Sequence, residues 1–193
     1  MTEIGRRELL LLLIGLGEGK APTASVSGIT RLQKLLFLLE QEGHIQPKGE
    51  GFAFEPYKAG PYSSRLYDDL ELLENLGLIR SEATAESTLT ETVEIDRLSF
   101  EDLMGGFEGR DGGSRAVDSL EERRFTLTSE GKKRAERLLA TGEYQPVVEG
   151  IRKVKSTYSH YSLRDLLRYV YQKYPEMTTE SEIINEVLGR RGK

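Results

Sequence analysis

The stretch from Phe52 to Ile79 constrains this chain more than any other. Gly49–Tyr57 reads as an extended segment, and Gly60-Pro61 follows it. Glycine tolerates positive φ and proline fixes its own near −65°, so the pair marks a tight turn. Leu66, Leu70, Leu73 and Leu76 then recur at helical spacing, which predicts a helix with one apolar face. Ser63 or Ser64 is the expected N-cap, and Asp68 and Asp69 fall in the first turns, where carboxylates suit the helix dipole. Gly77 is the expected left-handed residue that stops the helix before Leu78-Ile79 begins a strand.

The remaining segments fit around that unit. Glu3–Leu16 predicts a helix apolar on several sides, hence buried. Residues 15–28 read as a loop, and Ile29–Glu40 as a second helix with Leu32, Leu35, Leu36 and Leu39 as its stripe, capped by Gly43. Far downstream, Arg124–Thr128 reads as a strand running into a helix over Ser129–Ala140. A helix, a strand, a long excursion and a returning strand and helix predict a winged helix-turn-helix. The fold class expected is mainly α with a small β-wing, over residues 1–140. Its wing is enlarged by an acidic insertion, 81–122, where Leu89–Ile95 alternates as an exposed strand does and Gly105–Gly113 is glycine-rich. Residues 141–193 are expected to form a C-terminal helical extension: Val147–Tyr158, Ser162–Tyr174 ended by Pro175, and a short helix through Leu188.

Charge divides along the same lines. The net −5 of the chain resolves into −2 for residues 1–80, −9 for 81–122 and +6 for 123–193. A surface living on phosphate backbones carries a strong basic excess, and only the last segment offers one. There is no cysteine, which excludes disulfides and thiolate metal sites and agrees with a reducing, cytoplasmic setting. The Leu9–Leu16 run is far below the ~20 apolar residues that span a bilayer. It is expected to be a buried first helix rather than a signal sequence.

Two sets of candidate contact residues emerge. Tyr57, Tyr62, Arg65, Tyr67, Asp68 and Asp69 cluster about the turn and suit a protein partner, because tyrosine supplies large contact area at low entropic cost. Lys58, Ser63 and Arg65 at the turn, with Lys132, Lys133, Arg134 and Arg137 on the later helix, form the set expected if the partner is DNA. Asp68, Asp69, Glu71 and Glu74 weigh against that, since carboxylates near phosphate cost affinity. A homodimer would assist DNA binding by pairing half-sites. Five of the nine tyrosines fall between Tyr158 and Tyr174 and serve either packing or binding. Catalysis is not expected: two histidines, no cysteine and no nucleotide-loop or metalloprotease motif leave no cofactor or metal to predict. A third class, a hydrolase or nuclease with an acidic metal site among Glu94, Asp96, Glu101 and Asp102, ranks below both binding readings.

Arg31-Leu-Gln-Lys-Leu-Leu-Phe-Leu-Leu39, Phe54-x-Pro-Tyr57, Gly60-Pro-Tyr-Ser63 and Leu73-x-x-Leu-Gly-Leu-Ile79 together resemble the YwgA-like family. They are similar, more distantly, to the SocA-like "Panacea" antitoxin domain. The resemblance covers about the first 80 residues and, more loosely, Phe125–Leu139. It implies a protein-binding module of toxin–antitoxin or defence systems, with a toxin as the expected partner.

Overall fold

The computed structural model describes residues 3–17, 24–83 and 123–189. The expected strand at Leu89–Ile95, the Gly105–Gly113 run and the Glu94, Asp96, Glu101 and Asp102 set lie outside the described residues. Within them the chain is mainly helical with a small three-stranded antiparallel sheet.

Helix α1 spans Arg6–Gly15, and every residue from Leu9 to Gly15 is buried. A helix apolar all round has to be enclosed by other elements, and here the sheet and several helices enclose it. Strand β1 (Ser25–Ser27) leads into α2 (Ile29–Gln41), whose Leu32, Leu36, Phe37, Leu38 and Leu39 are fully buried. The C-cap falls on Glu42, one residue before the expected Gly43, and the positive φ falls on His44, at 50°. Gly43 is there for space, since a Cβ on it would stand 2.5 Å from the Leu39 carbonyl oxygen.

Residues 49–57 also depart from expectation. They turn repeatedly, with positive φ at Gly49, Gly51 and Ala53. Extended pairing is confined to Glu55, which exchanges two 2.9 Å backbone hydrogen bonds with Tyr62 across the Gly60-Pro61 turn. Helix α3 (Ser64–Asn75) follows. Gly77 stops it as expected, at φ 65°: Gly77 N–H donates to the Glu74 carbonyl and Leu78 N–H to that of Leu73, a complete Schellman closure. Leu76 does not extend the core stripe. It sits at the C-cap, where the chain is already turning away, and is 60% exposed.

Strands β2 (Ile79–Ala83) and β3 (Arg123–Leu127) complete a sheet of order β1-β3-β2. Val26 and Ser81 flank Phe125, and Ile79 faces Leu127. Val26, Phe125, Leu127 and Ile79 are buried, so the apolar face of the sheet points into the core. Helix α4 (Ser129–Ala140) is capped by the Thr128 hydroxyl, which accepts from Gly131 N–H and donates to the Gly77 carbonyl at 2.6 Å. One side chain thus closes the start of α4 onto the end of α3.

Helices α5 (Gln145–Tyr158) and α6 (Leu163–Lys173), a 3-10 turn (Pro175–Thr178) and the short α7 (Ile184–Leu188) finish the chain. Ile151, Val154, Leu166, Leu167 and Val170 belong to the same continuous buried cluster as α1 and α2. Among the described residues no helix is long and apolar enough to cross a membrane.

Candidate interaction surface

The two motifs that stand apart in sequence, Gln33-Lys34 and Gly60-Pro61-Tyr62-Ser63, meet in the fold. Lys34 is 1% exposed, and its ammonium donates to the Pro61 carbonyl at 2.8 Å. Gln33 accepts from Ser63 N–H at 3.1 Å and donates to the Tyr67 hydroxyl at 3.3 Å. The Ser63 hydroxyl donates to the Phe52 carbonyl at 2.5 Å instead of closing the α3 N-terminus as expected. Buried polar side chains are costly unless paired; here Lys34 and Gln33 fix the turn and the start of α3 to α2, and Ser63 ties the turn to Phe52. From the other side Tyr171 of α6 supports it. Gly60 has φ 83°, and a Cβ there would lie 2.7 Å from the Tyr171 ring.

This bracing presents a row of tyrosines. The rings of Tyr57 and Tyr62 are 4.8 Å apart and those of Tyr62 and Tyr67 5.7 Å, all tilted against one another. Tyr57 and Tyr62 are half-buried, while Glu55 and Asp68 beside the row are exposed. Burial raises the Tyr62 phenol above its ordinary pKa, and the charges of Glu55 and Asp68 raise it further.

Four other candidates are committed to contacts within the molecule. Asp69 is 1% exposed and accepts from Arg6 Nε at 2.7 Å and Arg7 Nε at 3.0 Å, so it ties α3 to α1 and is not offered to a partner. Ser63 is buried as well, out of reach of a phosphate backbone. Arg65 points back to the Gly51 carbonyl and the Glu50 carboxylate. Lys58, half-buried, stands 3.5 Å from Glu182.

The outward stripe of α3 consists of Ser64, Asp68, Glu71 and Asn75, ending at exposed Leu76. Helix α4 carries the opposite sign. Lys132, Lys133, Arg134 and Arg137 are all exposed, with Lys133 paired to Glu130 at 2.7 Å and Arg134 to Glu8 at 3.6 Å.

Three of the C-terminal tyrosines share a task that no sequence pattern announces. Tyr158, Tyr169 and Tyr174 hydroxyls donate to the Glu42 carboxylate at 2.6, 2.9 and 3.1 Å, and Lys173 Nζ donates at 2.9 Å. Burial pushes the Glu42 carboxyl up, but the four donors outweigh it and hold the group below its usual range. Beside this cluster is an open groove of about 470 Å³ lined by His160, Tyr161, Asp165, Arg168, Tyr169 and Gln172. Among the described residues no group of three or more His, Asp or Glu side chains could hold a metal ion. A scan against protein-family models and a search of curated proteins both return no match to this chain.

Proposed function

We propose that this chain is a non-catalytic protein-interaction module of winged helix-turn-helix type that works in the cytoplasm and binds a partner through the Tyr57–Tyr67 turn and the outer face of α3. The element order α1-β1-α2-α3-β2-β3, with its β1-β3-β2 sheet, supports the winged-helix reading. The observation that carries the function is the acidic outer stripe of α3. The helix occupying the recognition position turns Asp68 and Glu71 to solvent and ends in an exposed leucine. Such a face repels a phosphate backbone and suits a partner with basic and apolar groups. The resemblance to the Panacea antitoxin domain makes a toxin the first class of partner to seek, in a toxin–antitoxin or defence setting.

A second reading is a DNA-binding regulator, dimeric on paired half-sites. The exposed Lys132, Lys133, Arg134 and Arg137 on α4 favour it. Two assays separate the readings. Co-purification with wild type and with Asp68→Lys/Glu71→Lys should yield a partner that the double variant releases. Fluorescence anisotropy with random-sequence duplex DNA, from about 50 to 200 mM salt, should show no binding. Tight binding that falls steeply with salt and is lost in Lys132→Glu/Lys133→Glu would overturn the protein-interaction reading.

A further inference from the structure

We infer that the tyrosine row at the Gly60-Pro61 turn is an anchor for an arginine side chain of the partner, held over the aromatic rings and between the carboxylates of Glu55 and Asp68. The inference rests on the protein-interaction reading and names the chemistry of the contact.

Four observations converge on it. Tyr57, Tyr62 and Tyr67 form one continuous row with centroid separations of 4.8 and 5.7 Å, and the first two reach solvent. Ring faces attract cations, guanidinium most often. Exposed carboxylates flank the row: Glu55 through its backbone pairing with Tyr62, and Asp68 one residue beyond Tyr67 on α3. Their charges reach the Tyr62 hydroxyl, whose ionisation they oppose.

The protein's own cations are directed elsewhere. Arg65 goes to Gly51 and Glu50, Lys58 stands against Glu182, and Arg6 and Arg7 go to Asp69. Among the described residues neither Glu55 nor Asp68 stands in an ion pair; Arg6 lies close enough to feel the Asp68 charge, but its hydrogen bonds go to Asp69, so both carboxylates keep their oxygens for a partner's cation. Finally, the row is rigid. Gln33 and Lys34 hold the turn from α2, and Tyr171 supports it from α6. A pre-ordered aromatic surface loses little entropy when it binds. Arginine combines ring stacking with a planar fork matched to carboxylates, which lysine cannot do.

The test is a titration of the full chain, with tyrosine rings carbon-13 labelled, by N-acetyl-arginine amide and by its neutral isostere N-acetyl-citrulline amide. Arginine amide should move the Tyr57 and Tyr62 ring resonances to saturation, whereas citrulline amide should not. Tyr62→Leu keeps bulk at the turn, and Asp68→Asn touches only the exposed face. Each should weaken arginine binding by about three- to tenfold while leaving the Tyr158 and Tyr169 resonances in place as proof of fold. Equal responses to the two amides, or no saturation, would overturn the anchor. That outcome is separable from the partner reading, because a protein released by Asp68→Lys/Glu71→Lys could still be found without it.

Discussion

Two glutamates two positions apart on α2 and its cap show how position sets the behaviour of one residue type. Glu40 is half-buried and accepts from Phe52 N–H at 3.2 Å; burial raises its carboxyl above 4.5, and that one hydrogen bond offsets only part of the rise. Glu42 has four donors and titrates below 4.5 despite its own desolvation. The signs of their linkage to stability are opposite. With Glu42 the folded state holds the charged form more strongly. Its contribution is present above pH 4.5 and is lost as pH falls through the lowered folded value. With Glu40 the folded state resists the charge, so acidification relieves a cost. Glu42→Gln should therefore cost roughly 1.5–3 kcal/mol at pH 7, an effect that shrinks toward pH 3. Glu40→Gln should raise the melting temperature at pH 7 and lose that advantage on acidification. Thermal melts of both variants from pH 3 to 7 check the two signs together. Lys155 is the alkaline counterpart. Burial lowers its pKa from 10.5 to about 8, while its Nζ donates to the Leu13 and Leu16 carbonyls at the end of α1. Above pH 8 the unfolded chain holds this proton more tightly than the folded one, so stability rises with pH through this group. The gain is up to about 3 kcal/mol by pH 10.5, and the neutral amine still has two N–H bonds for two carbonyls. The Tyr171 and Tyr174 phenols, raised to about 12, act the other way above pH 10. Denaturant titrations between pH 8 and 10 should show the rise, and Lys155→Met should flatten it.

At the scale of elements, the glycines at the α3–α4 junction divide into two kinds. Gly77 has φ 65° and open space within 4 Å of where a methyl group would stand, so alanine there meets only backbone strain. Gly131 lies inside α4 with ordinary helical geometry, yet a Cβ would stand 1.9 Å from the Leu78 carbonyl oxygen. Gly77→Ala should cost about 1–2 kcal/mol. Gly131→Ala should cost more than about 3 kcal/mol, because the α3–β2 connection must move; urea midpoints at constant slope will rank them. Only the first of these is legible in the sequence. A helix stripe ending in Leu-Gly-Leu announces its own stop, whereas nothing near Gly131 announces the Leu78 carbonyl. The same division explains the other outcomes. The helices about Leu32–Leu39, Leu66–Leu73 and Leu163–Val170 are readable because their period is local. The role of Ser63 is not, because the Phe52 carbonyl competes for its hydroxyl across a turn. Asp69 reads as one more carboxylate on an acidic helix until α1 brings two arginines to it. At the candidate surface the tyrosines themselves can be picked out, but their alignment depends on Gln33 and Lys34, a helix away.

For the whole molecule, the physical question is whether α5 and α6 are an attachment or part of the body. The buried cluster runs without a break from α1 and α2 through the sheet into α5 and α6. Polar contacts cross the same boundary: Lys155 closes α1, Glu42 gathers three tyrosines, and Tyr171 supports the Gly60 turn. Removing apolar volume on either side should therefore weaken one common transition. Leu36→Ala on α2 and Ile151→Ala on α5, both at fully buried positions, should each cost about 2–5 kcal/mol. The tyrosines make the test direct. Tyr57, Tyr62 and Tyr67 report the turn and the C-terminal set reports α5 and α6, with no tryptophan to mask either. In both variants, far-ultraviolet circular dichroism and near-ultraviolet tyrosine signals should trace one coincident unfolding curve, displaced to lower denaturant without a change of slope. A separate early transition in Ile151→Ala, with the Leu36→Ala curve still single, would mean that α5 and α6 unfold on their own. The support of the tyrosine turn by Tyr171 would then be lost before the turn itself, and arginine binding there would fall at the denaturant concentration of that first transition.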